Sequence, residues 1–129
     1  MRLTIVTAAI VAGLMSVGTA RAATEMPYSD AALAAAQKAG KPILIDITAP
    51  WCPTCAKQHP ILSQLYTTPE FKDLQVFDVD FDTSKPLLRK LGVQMQSTMI
   101  VYHGEKEAGR ETGQTAAPAI HALLAKANS

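Results

Sequence analysis

The tightest constraint in this 129-residue chain is local: its two cysteines, Cys52 and Cys55, stand in PWCPTC (50–55), just after the β-branched run PILIDI (42–47). A short apolar run of this kind reads as a buried strand. Pro53 suits the first turn of a helix, where its missing amide donor is not needed. A strand therefore stops, and a helix starts, at the cysteines, and strands that alternate with helices point to an α/β arrangement. A disulfide across C-x-x-C closes so short a loop that it removes little entropy from the unfolded chain, which makes it a poor staple. A redox pair and part of a metal site both remain.

The rest of the chain extends that pattern. Ser29-Asp30 caps an Ala-rich helix that runs to about Ala39 and is stopped by Gly40 and Pro42. Pro60 is expected to interrupt and kink the helix that begins at the cysteines. Thr68-Pro69-Glu70 opens a helical turn, and LQVFDVDF (74–81) alternates as a second strand. Ser84 caps KPLLRKLG, ended by Gly92; TMIVYH (98–103) and EAGRETG (107–113) form a hairpin around His103-Gly104; Thr115 caps a last helix bearing Ile120, Leu123 and Leu124. The order α β α β α β β α predicts an α/β fold whose central mixed sheet of about four strands is flanked by helices on both faces.

The first residues give the expected address. Arg2 precedes an almost wholly apolar stretch, Leu3 to Val17, and Ala20-Arg21-Ala22 offers an A-x-A cleavage pattern. This is the layout of a secretory leader over 1–22, cut after Ala22, which leaves one domain over 23–129. The apolar run of about 15 residues is short of the roughly 20 that a membrane-spanning helix needs. The expected location is periplasmic. The formal charge of +1 becomes −1 once Arg2 and Arg21 leave with the leader, and like charges do not cluster. Neither nucleic acid nor an acidic membrane surface is a natural partner, and a small monomer is expected.

At a helix start, unpaired amides and the helix dipole favour negative charge. The thiol of Cys52 is thus expected below its ordinary value, placed to attack a substrate disulfide, with Cys55 a turn further in and less exposed, placed to resolve the mixed disulfide. Trp51 would shield the pair. Asp46, between Ile45 and Ile47, is a carboxyl in an apolar run; buried near the sulfurs, it would hold a raised pKa and accept the proton of Cys55. The metal alternative uses Cys52, Cys55 and His59, in C-x2-C-x3-H, with Met95 and Met99 as soft ligands suited to copper(I). Closed zinc sites, however, want four ligands. His103 and His121 read as solvent-exposed.

Asp46, the six-residue step to Cys52, Trp51-Cys52-x-x-Cys55, Lys57, Pro60, the G-V-x-x-x-x-T of 92–98 and the Gly104 turn together resemble the thioredoxin family, over essentially the whole chain after the leader. The resemblance implies a thioredoxin fold and thiol–disulfide exchange without a cofactor or resident metal. Cys52 would be the nucleophile, Cys55 the resolving thiol and Asp46 the proton acceptor, with Trp51, Pro53, Thr54, Gln96, Ser97 and Thr98 meeting the substrate. It also implies protein disulfides as substrates, and a reductase recharged by a membrane thiol donor rather than a general oxidase. Three features depart from the family pattern. Pro53-Thr54 replaces the usual Gly-Pro, and Asp78 stands where a lysine is common. Ser97 replaces the family's cis-proline, so the Gln96–Ser97 bond is expected to be trans.

Overall fold

Ile43, Ile45 and Ile47 alternate with Leu44 and Asp46, so both faces of this strand need cover, and it lies at the centre of the sheet. In the computed structural model, which describes Gly18 and residues 21–129, the elements are β1 (Thr24–Pro27), α1 (Asp30–Lys38), β2 (Pro42–Thr48), α2 (Pro53–Tyr66), β3 (Gln75–Asp80), α3 (Lys85–Leu91), β4 (Thr98–His103), β5 (Lys106–Thr112) and α4 (Ala117–Ala125). Short 3-10 turns occupy Pro69–Phe71 and Lys126–Asn128. The expected leader lies almost wholly outside the described residues. No described helix is long and apolar enough to cross a membrane.

The strand order is β1-β3-β2-β4-β5, with β1 and β2 parallel to β3, and β4 antiparallel to both β2 and β5. The sheet thus has five strands rather than about four. The strand missed is β1, whose sequence TEMP holds one apolar side chain and a proline and shows no strand period.

Side chains that alternate across the sheet build two cores. Leu44, Val76, Met99 and Val101 pack under α2 and α4 through Leu62, Tyr66, Ile120, Leu123 and Leu124. Ile43, Ile45, Ile47, Phe77 and Ile100 face α1 and α3 through Leu33, Ala36 and Leu88. Each fully buried side chain of this size stabilises the fold by roughly 1.5–3 kcal/mol.

Helix α2 continues through Pro60, contrary to the expected interruption. Pro60 and Ala56, whose carbonyl loses its partner, lie on the exposed side, where water can replace the bond. The Ser29 hydroxyl caps α1 as expected, accepting from Ala32 N at 3.1 Å. Ser84 occupies the cap position of α3 without a side-chain bond. At α4 the cap is Ala116 rather than Thr115, and its N–H donates to Gln114 Oε1 at 2.9 Å.

Candidate active site

Cys52 is the N-cap of α2, in extended conformation, and its Sγ accepts the backbone N–H of Cys55 at 3.1 Å. The turn that delivers it is closed by Cys52 N donating to Ala49 O at 3.1 Å. The two sulfurs are joined in a disulfide, with Cα atoms 5.3 Å apart. Exposure does not separate them as expected: Cys52 is 3% and Cys55 7% exposed. What distinguishes them is position, because only Cys52 sits where the orphan amides of the helix converge.

Trp51 is 57% exposed. Its indole Nε1 donates to Asp82 Oδ2 at 2.7 Å, in a loop tightened by Asp80 Oδ1, which accepts from Asp82 N and Thr83 N. The disulfide packs against Ala49 and the ring of Phe81, over which Lys85 Nζ lies 3.6 Å from the centroid. Beside it opens a recess of about 450 Å³ lined by Thr48, Pro50, His59 and Asp80 as well as both cysteines.

Asp46 faces α2, on the same side of β2 as Leu44. Its register partner on β3 is Asp78, so the two carboxyls are side by side. Burial pushes the Asp46 carboxyl up to about 7, with Asp78 and then Glu25 of β1 adding to it. Asp78 is also raised, by desolvation and Glu25, while His59 opposes. Asp46 Oδ1 is buried with no hydrogen-bond partner among the described residues. Asp46 does not line the recess. It lies two residues behind Thr48 on the same strand face, roughly 7 Å along the backbone.

The loop before β4 is tied to α2 through Gln58. No peptide bond among the described residues is cis, so Gln96–Ser97 is trans. Ser97 has φ 60 and is the one non-glycine residue with positive φ among those described. Such a conformation is strained by roughly 1–3 kcal/mol and persists only where its surroundings hold it. Here Ser97 O accepts from Gly113 N at 3.0 Å and from Gln58 Nε2 at 3.2 Å. Thr98 Oγ1 lies 2.7 Å from Met95 O and 2.9 Å from Thr112 Oγ1, which fixes the start of β4. Proline cannot adopt φ 60. Ser97→Pro is therefore expected to lower stability by roughly 1–3 kcal/mol, whereas Ser97→Gly stays within about 1 kcal/mol of the parent. Urea unfolding midpoints test the order, and a proline variant as stable as the parent would remove the argument.

The metal alternative finds no support. Among the described residues no group of three or more His, Cys, Asp or Glu is arranged to hold an ion. Met99 is fully buried in the core, and both sulfurs are engaged with each other. His103 is exposed but its Nδ1 pairs with Ala127 O at 2.8 Å; His121 is half-buried against Glu70. Gln58 and Asp82 are site residues that the sequence reading missed. The signal for Gln58 was a polar residue in the stripe Cys55, Gln58, Leu62, Tyr66, which a helix buries.

With a strand-to-helix C-x-x-C on a five-stranded mixed sheet in view, comparison with known proteins is decisive. The thioredoxin family model matches residues 28–126. The chain belongs to the thioredoxin family. The crystal structure of Trxlp from Edwardsiella tarda EIB202 is similar at TM-score 0.75 and 44% identity, covering 78% of this chain and 97% of that one. An H-type thioredoxin of Brassica campestris is 34% identical over 94 residues, 73% of this chain and 74% of its own. The protein disulfide-isomerase erp38 of Neurospora crassa is 38% identical over 72 residues, 54% of this chain but 20% of its own length. This thioredoxin-family chain is a thiol–disulfide oxidoreductase, and Cys52–Cys55 is its disulfide.

Proposed function

We propose that the protein is an exported disulfide reductase of the periplasm, recharged by a membrane thiol donor and acting as a monomer on protein disulfides. The observation that carries the reading of the site is the Cys52 sulfur at the N-cap of α2, accepting the Cys55 amide. That arrangement favours a thiolate on Cys52 and so its use as the attacking group. In the reduced protein the Cys52 thiolate attacks one sulfur of a substrate disulfide, and the other sulfur leaves as a thiolate. Cys55 then loses its proton and attacks Cys52, which restores the internal disulfide and releases the second substrate sulfur. The substrate gains two electrons and the protein loses two.

The raised pKa of Asp46, on the sheet face that α2 covers, supports it as the acceptor of the Cys55 proton. Trp51, Pro53, Thr54, Gln96, Ser97 and Thr98 would form the surface that meets the substrate backbone. The leader-like segment 1–22 supports export. Direction of electron flow is tested by equilibrating the protein with a glutathione series. A reductase is expected near about −270 mV, and a value above about −180 mV would reverse the assignment to an oxidant or isomerase.

A further inference from the structure

Gln58 is 1% exposed, three residues beyond Cys55, in a position where a hydrocarbon side chain would pack with no polar group to satisfy. Its Nε2 donates to Ser97 O at 3.2 Å and to Gln114 O at 2.9 Å. Both partners are carbonyls, so the amide has one sensible orientation, nitrogen toward them. Its Oε1 is then buried with no partner among the described residues. An orphaned buried acceptor is unfavourable, so the two donors must offset it by what they hold.

What they hold is specific. Ser97, at φ 60, and Gly113, at φ 75, meet across the open end of the β4–β5 ladder, where Gly113 N donates to Ser97 O. Gln114 follows directly and turns the chain into α4. The Gln58 carboxamide joins this pair of left-handed residues to the helix that bears Cys55, and Ser97 stands where the family's cis-proline would fix the same loop.

We propose that Gln58 is a positioning residue for disulfide exchange: its two N–H donors hold the Ser97 loop and the Gln114 segment against α2, and so set the backbone that a peptide disulfide meets beside Cys52. The proposal rests on the Ser97 loop being part of the substrate surface.

The test compares the parent protein with Gln58→Met, which keeps the length of the side chain and removes the donors. Three readouts are taken: reduction of a disulfide-closed peptide with dithiothreitol as recycling reductant, alkylation of reduced Cys52 by iodoacetamide, and hydrogen exchange at the Gly113 amide. The expected result is a KM for the peptide raised about tenfold, roughly the value of one lost hydrogen bond. Alkylation should stay within about twofold, because a small reagent does not dock on the loop, and Gly113 exchange should speed up. If Gln58→Met does not fold, Gln58→Leu gives the same three readouts with an apolar side chain that leaves no buried polar atom.

Unchanged KM with faster Gly113 exchange would mean that the loop is held by Gln58 but does not meet substrate. That result overturns the docking reading and the positioning role with it. Unchanged KM and unchanged exchange would overturn the tie alone. Peptide reduction and alkylation falling in parallel would mark general damage to the site and also overturn the proposal.

Discussion

Cys52→Ser will bring reduction of insulin down to the rate of uncatalysed exchange, while Cys55→Ser will accumulate mixed disulfides with its substrates. The two variants differ by one sulfur three residues apart, yet the reaction needs them in sequence. With serine at 52 the group at the start of α2 cannot attack. With serine at 55 the attack still occurs, but nothing on the protein displaces the substrate. The asymmetry comes from the helix end rather than from exposure, since both sulfurs are buried. In the reduced parent, Cys52 alone should react with iodoacetamide near neutral pH. Non-reducing gels and mass spectrometry read both effects, and equal alkylation of the two thiols would remove the assignment of roles.

Asp46→Asn is expected to stabilise the protein at pH 8 by roughly 2–4 kcal/mol and to slow resolution by Cys55 about a hundredfold. Burial first, and then Asp78 and Glu25, raise the carboxyl from 3.8 to about 7 in the folded chain. Between those values the folded state holds a proton that the unfolded state has lost. Stability from this group is therefore complete below about pH 4 and is lost as pH rises through about 7. Asparagine removes the pH-dependent loss, though its amide must still find partners in a place that satisfies Oδ1 poorly. Urea titrations at pH 4 and pH 8 check the sign: the variant gains at pH 8 and little at pH 4. Single-turnover kinetics check the second claim. A resolution step unchanged by asparagine would leave Asp46 without a part in the chemistry.

Much of this site can be read from short stretches of sequence, because its central pieces are local. PILIDI followed by a proline-bearing C-x-x-C specifies a buried strand, a turn and a helix start within fourteen residues (42–55), and β4 falls over Thr98–His103 just as TMIVYH suggested. The Asp46–Asp78 pairing was also accessible, since two parallel strands place equivalent positions side by side. What stayed hidden depends on contacts between distant residues. Gln58 meets its acceptors 39 and 56 positions away, so its place in the buried stripe of α2 marks it as buried but does not say what it clamps. The strand β1 is extended because β3 offers it partners, not because Thr24-Glu25-Met26-Pro27 prefers that state. The order of exposure of Cys52 and Cys55 likewise follows from Ala49 and Phe81 closing over both.

The brevity of β1 bears on how the molecule behaves in a crowd. An open sheet margin is a template on which another chain can add a strand. On one side that margin is four residues long and ends in Pro27, which has no N–H to give. On the other, β5 carries Lys106, Glu107, Arg110 and Glu111, and the β4–β5 register slips at Val101/Tyr102. Neither border favours aggregation by strand addition. Strand addition by unfolded, extended chains is thereby disfavoured along both flanks of the sheet.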